Sequence, residues 1–267
     1  MKVSNTYPEV IPMPASYAHY RFGKLLLPAL PADVRQTVQR FRRMYDMGLQ
    51  GPDFFFYYNP FLKTATGQLG KEFHRQSGQE FFPAACKAAS SEAAEAYLYG
   101  LLAHYCLDAA CHPFINQLVT IGEAEHVALE SEFDRYLLVR DKEPSPHTFD
   151  MSRFFRVTRG ECITVAAFYP GATGGTVSRS IRFMGLFTRL LCHPNQALRT
   201  AVLKKVKPSL CSFSIPQEEN EALALYVREL HDLYGQALKH YPVLLEQLQT
   251  HCKTGEPFGE AFSPSFG

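Results

Sequence analysis

The sequence predicts an all-α protein, on three observations. Apolar residues recur at helical spacing along most of the chain, capping residues and prolines stand where helices should start and stop, and strand signals are scarce. With 267 residues, 46% of them hydrophobic and 20% charged, the chain can bury a full core. Helix-on-helix layers around one core, in a single domain over 1–267, are the expected architecture.

Taken in order, Ser16 can cap a helix running to about Leu27. A second helix begins near Pro31, which suits a first turn, and ends near Gly48. The stretch GPDFFFYYNP (51–60), bracketed by glycine and prolines, reads as a loop or short extended piece. Helices resume over Leu69–Lys87, with His74 on an early turn. Ser90 or Ser91 caps a long apolar helix through Leu98, Leu101, Leu102 and His104, which Pro113 is expected to end or kink. Another helix carries EAEHVALESEFDRYLL (123–138) and breaks at EPSPH. Further helices are expected over 150–168, 177–192, 195–206 and 217–250, interrupted by PGATGG (170–175).

A net charge of +1 gives no reason to expect a long anionic partner, so no nucleic-acid partner is expected. The seven cysteines are odd in number, scattered and without a CxxC pair, which reads as reduced, mostly buried thiols. The first twenty residues lack the apolar core of a signal peptide, and no apolar run reaches the roughly 18 residues a membrane span requires. A cytoplasmic location is the resulting expectation.

Chemistry concentrates in HYCLDAACH (104–112), which sets His104, Asp108 and His112 at four-residue intervals. Residues four apart share a helix face, so His104 and Asp108 can reach one cation together. His126 and Glu130, in EHVALE, repeat that spacing on another helix. His104 and His112 stand about 12 Å apart along a helix, too far for both to bind one zinc through bonds of about 2 Å. That arithmetic suggests more than one metal, with Asp108 able to bridge. A single H-x-x-x-D or H-x-x-x-E is common by chance, and His19 or His74 alone reads as a hydrogen-bonded core histidine. Cys106 and Cys111 are soft-ligand candidates whose ordinary use is packing.

Together, the ordered set of His19, the GPD ending at Asp53, His74, HYCLD (104–108), HPF (112–114) and HVALE (126–130) resembles the zinc-dependent phospholipase C family over about residues 14–140. The resemblance implies an all-helical fold, shared with single-strand nucleases, with two or three zinc ions in a cleft. It implies that His74, His104 and Asp108 hold one zinc, that Asp108 bridges to a second also bound by His19, and that His126 and Glu130 hold a third. Asp53 matches the family's cleft aspartate, a general base or an additional ligand.

Three departures stand out. The chain has no tryptophan to match the N-terminal metal ligand of the secreted enzymes, and His19 follows eighteen residues. The histidine expected six residues past Asp108 is Phe114, so His112 either substitutes for it or starts a turn. The first twenty residues give no expectation of a secretion signal.

The implied function is a phospholipase C-like phosphodiester hydrolase in which zinc-activated water attacks phosphorus. The alternatives are a single-strand nuclease-like phosphodiesterase or a non-catalytic metal-binding protein. The implied partner is a phospholipid or small phosphodiester. VLKKVK (202–207) offers transient membrane-surface contact, although a solvated helix face is its ordinary use. FFFYY (54–58) can line an acyl cleft or simply pack. GATGG (171–175) lacks a Walker lysine. His193, His231, His240 and His251 receive no role.

Overall fold

The start of the first helix depends on a carboxylate from far along the chain. In the computed structural model, which describes residues 16–59, 64–206 and 208–267, α1 covers Ser16–Leu26. The first amides of a helix lack intrahelical acceptors. Here the buried Asp134 carboxylate accepts from Tyr17 N–H at 3.1 Å and Ala18 N–H at 2.8 Å. Burial nevertheless pushes the Asp134 pKa up to about 7, with the two amide hydrogen bonds pulling the other way.

After α1 come α2 (Ala32–Arg40) and α3 (Arg42–Gly48), where a single helix was expected. Phe41 departs from helical geometry, at φ −117° and ψ 43°. The bend lets Val34 and Val38 of one helix, and Met44, Tyr45 and Met47 of the other, each pack toward the same long helix. GPDFFFY is neither loop nor extended. Gly51–Tyr57 form a 3-10 helix in which Phe54, Phe55, Phe56 and Tyr57 are buried. The Pro60 end of that stretch lies outside the described residues.

Thr64 caps α4 (Ala65–Arg75), accepting from Gly67 N–H, and Ser77 forms a capping box with Glu80 at the head of α5 (Gly78–Ala88). Ser91 caps α6, which runs from Glu92 to Thr120. Residues Tyr97–Asp108 of α6 are buried almost all round, apart from Tyr99, as expected of a helix at the centre of a core. α1, α2, α3, α5, α8 (Arg159–Ala166), α7 (His126–Arg140) and α11 (Ala224–Thr254) all contact it. The helix does not end at Pro113. That ring removes one hydrogen bond and the following residues continue the helix, so His112 stays in phase with Asp108.

The span expected as one helix over 150–168 is a short 3-10 turn (Met151–Phe154) followed by α8, which starts afresh at a Thr158–Glu161 capping box. Thr173 caps α9 (Gly174–Leu191), so GATGG serves as a helix start. α10 (Gln196–Val206) exposes Lys204 and Lys205, while Lys207 lies outside the described residues. No strand occurs among the described residues, and the one isolated antiparallel bridge joins Ser77 to Ser265. No helix among them is long and apolar enough to cross a membrane.

The expectation that all the cysteines are reduced thiols is overturned. Cys86, at the end of α5, and Cys252, at the end of α11, form a disulfide with their Cα atoms 5.4 Å apart. The helix ends meet in space although 166 residues separate them in sequence. Cys106, Cys111 and Cys162 remain free and buried.

Candidate metal centre

Three successive turns of α6 present His104, Asp108 and His112 on one face, as the four-residue spacing dictates. Around them the structure gathers three groups of donor atoms. His19 joins His104 and Asp108; Asp53 and His74 join His104; His126 and Glu130 join His112. All eight side chains are buried.

α1 brings His19 Nε2 to 3.2 Å from Asp108 Oδ1 and stacks its ring on that of His104 with centroids 4.3 Å apart. His104 Nε2 lies 2.9 Å from the other Asp108 oxygen. The 3-10 helix supplies Asp53, whose Oδ1 is 2.7 Å from His74 Nε2. At the start of α7, His126 Nε2 lies 3.1 Å from Glu130 Oε1, and His112 Nε2 lies 3.8 Å from the same oxygen.

This grouping differs from the assignment implied by resemblance in two places. His74 pairs with Asp53 and His104, while Asp108 sits between His104 and His19. His112 turns no corner; it completes the group that His126 and Glu130 begin, while Phe114 packs against Tyr226.

The donors suit a divalent cation for two physical reasons. Ten buried side-chain N or O atoms lack a hydrogen-bond partner among the described residues, and six belong to this cluster, on His19, Asp53, His104, Asp108, His126 and Glu130. Buried polar atoms are rarely left so without a purpose. In addition, three histidines give their Nδ1–H to backbone carbonyls: His74 to Gly70 at 2.6 Å, His104 to Leu49 at 3.3 Å and His112 to Phe266 at 2.6 Å. A carbonyl only accepts, so each Nε2 is turned toward the cluster, the usual arrangement behind a metal-ligating imidazole. Nitrogen and carboxylate donors match zinc.

One glycine makes the arrangement possible. Gly51 has φ +48°, and a Cβ there would run into the His104 imidazole. The 3-10 helix carrying Asp53 can therefore lie directly on His104.

The charges are strongly coupled. Burial alone would lower the His19, His74 and His112 pKa values. The carboxylates outweigh it: Asp108 raises His19, Asp53 raises His74, and Asp108 with Glu130 pushes His112 up to about 10. Conversely, burial would raise Asp108 and Glu130. His104, His112 and His19 hold Asp108 well below the usual carboxylate range, and His126 and His112 lower Glu130. A cation taking these imidazoles as ligands must displace their protons, so binding should tighten as pH rises. Chelator competition should show apparent zinc affinity increasing by about tenfold per pH unit for each proton released between about pH 6 and 8. A flat profile would mean that binding displaces no proton from these histidines.

Beside the His112 group a cleft opens, walled by Glu130, Asp134, Tyr57, Phe149, Leu191 and Phe213, with no lysine or arginine among its described lining residues. Of the FFFYY run, Phe54, Phe55 and Phe56 pack inward and only Tyr57 reaches this wall.

A profile of the family described as zinc dependent phospholipase C matches residues 18–168, a span that includes every donor from His19 to Glu130. The chain belongs to the zinc-dependent phospholipase C family. No curated protein and no solved structure matches it. The all-helical fold agrees with that family, and its zinc dependence agrees with the three buried donor groups.

Sequence reasoning passed over two residues in the cleft wall. Asp134 continues the series His126, Glu130 at the same four-residue step, a signal that was present. His147 also lines the cleft, and its surroundings in EPSPH carry no spacing that marks it.

Proposed function

We propose that the chain is a zinc-dependent phosphodiesterase of phospholipase C type, acting on a phospholipid or a small amphiphilic phosphodiester. The observation that carries this reading is a cluster of three buried histidine–carboxylate groups, one of which meets through Glu130 a largely apolar cleft with no lysine or arginine among its described lining residues. A polyanion such as single-stranded DNA needs a basic groove with stacking platforms, whereas one phosphodiester with an apolar body does not.

His74, Asp53 and His104 would hold one ion, and His112, His126 and Glu130 another. His104 is common to two groups, and its single inward Nε2 serves one ion at a time. His19 and an Asp108 oxygen are then left for a third ion, which should be the weakest held. Zinc, when bound, supplies Lewis acidity that polarises phosphoryl oxygens and lowers the pKa of water.

The remaining steps belong to the chain. Asp53 Oδ1 stands beside His74 Nε2 and would join it on that ion, while its Oδ2 is buried without a hydrogen-bond partner and can take a proton from the attacking water. The water oxygen bonds to phosphorus, the phosphorus–oxygen bond to the leaving group breaks, and the departing alkoxide takes up the proton that Asp53 had accepted. The products are a phosphomonoester and an alcohol. Tyr57, Phe149, Leu191 and Phe213 would hold the apolar body and keep water from it.

Elemental analysis of the purified protein, paired with assays on a short-chain phosphatidylcholine, a chromogenic choline phosphodiester and single-stranded DNA, tests the reading. At least two zinc ions per chain and hydrolysis of the first two substrates are expected, with DNA cut poorly. Less than one ion per chain after zinc reconstitution refutes the metal reading. Nuclease activity without lipid hydrolysis reverses the substrate class.

A further inference from the structure

Beyond α11 the chain leaves helical geometry at Gly255 and runs back along α5 toward the metal centre. Segment 258–267 is tied down at every step. Gln79 donates Nε2–H to the Phe258 and Gly259 carbonyls at 3.4 and 3.0 Å. Gly78 N–H and the Tyr105 hydroxyl both donate to the Pro264 carbonyl, each at 3.0 Å. Phe262 and Phe266 are fully buried. The Phe266 ring lies among Phe81, Phe82 and Tyr105, with its centroid 6.1 Å from that of His104 and 6.3 Å from that of His74.

Two backbone hydrogen bonds then reach the donors themselves. The Phe266 carbonyl accepts the His112 Nδ1–H at 2.6 Å, and Gly267 N–H donates to the His74 carbonyl at 3.0 Å. Of the other two inward-turned histidines, His74 rests on Gly70 within its own helix α4, and His104 on Leu49, just past α3 and 55 residues away in sequence. His112 alone relies on a carbonyl 154 residues away in sequence. Imidazole orientation, and with it ligand basicity, is set by such a partner.

We propose that Phe266 is a positioning residue of the metal centre. Its buried ring pins segment 258–267, and its carbonyl holds the His112 imidazole with Nε2 facing Glu130. The zinc-dependent part of this proposal rests on the metal reading above. The orientation of His112 stands apart from it.

The test compares the full chain with a truncation after Ser263, with Phe266→Ala and with the conservative Phe266→Leu. Zinc per chain is read by elemental analysis, zinc affinity by competition with a chromogenic chelator, and folding by far-ultraviolet circular dichroism. In the truncation, affinity at one position should fall roughly 10–100-fold, the loss seen when the outer partner of a ligand is removed. The other zinc should be retained and helix content unchanged. Phe266→Ala should lose less, and Phe266→Leu should bind like the parent chain.

A folded truncation with the parent chain's zinc profile overturns the proposal. Should the truncation not fold, Phe266→Ala decides: selective loss of one zinc supports it, and an unchanged profile overturns it. If the parent chain binds no zinc, the metal reading fails, and nuclear magnetic resonance of the His112 ring judges this proposal. A slowly exchanging Nδ1–H in the parent chain that disappears in Phe266→Ala supports it. Its absence from the parent chain, or its persistence in the variant, overturns it.

Discussion

Asp108→Asn should empty at least one zinc position and cut phosphodiester hydrolysis by more than roughly 100-fold, beyond the 10–100-fold that loss of an outer-shell partner costs. The asparagine keeps the shape and removes the charge. Asp108 lies within 3.2 Å of His19 and 2.9 Å of His104 through different oxygens, and its Oδ2 is 4.0 Å from His112 Nδ1. An amide offers one neutral oxygen and turns an NH₂ toward the remaining neighbour, where a cation or a protonated imidazole would repel it. The site is buried, so water screens little of that change. Zinc content, and turnover of a chromogenic choline phosphodiester, should fall together. Asp46→Asn is the control, because Asp46 pairs with Arg42 at 2.7 Å and belongs to none of the donor groups. Full zinc content and full turnover in Asp108→Asn would remove Asp108 from the centre.

The second large effect is expected from Gly51→Ala, a change of one methyl group. The residue sits at φ +48°, where a side chain is strained, and the new Cβ would meet the His104 ring. His104 has no room to yield. It is fully buried, tied to the Leu49 carbonyl and stacked on His19. The 3-10 helix must move instead, taking Asp53 away from His74. Backbone strain of this kind costs about 1–3 kcal/mol, and the displaced Asp53 should release the ion held with His74 and His104. Thermal unfolding with and without chelator separates the two contributions: the variant should melt lower in both conditions and gain less from zinc. Parent-like melting and zinc content would show that the contact relaxes without consequence.

How much of this was readable beforehand follows from the physics of each feature. The helical pairs His104 with Asp108 and His126 with Glu130 were legible because a four-residue step is a local geometric fact. His112 follows the same step, but the resemblance pointed to position 114 and Pro113 suggested a stop. The helix tolerates that proline, so the local spacing prevailed. The pairing of Asp53 with His74 was not legible, because it depends on a 3-10 helix read as a loop. The bend at Phe41 has no glycine or proline to announce it. The Cys86–Cys252 disulfide and the Phe266 contact to His112 join residues more than 150 positions apart, and no local pattern encodes such a meeting.

The uninterrupted course of α6 has a consequence for how sequences of this kind can diverge. One rod carries a donor for each of the three groups, so their relative phase is fixed by helical pitch. An insertion or deletion of one residue between His104 and His112 rotates everything beyond it by about 100°, swinging His112 away from Glu130. By contrast, the connections that bring in His19, Asp53, His74 and His126 run between separate elements, and lengthening such loops costs little. Length variation is therefore admissible in the connections between elements, but along nine residues of α6, as between His126 and Glu130 of α7, the spacing is as constrained as a reading frame.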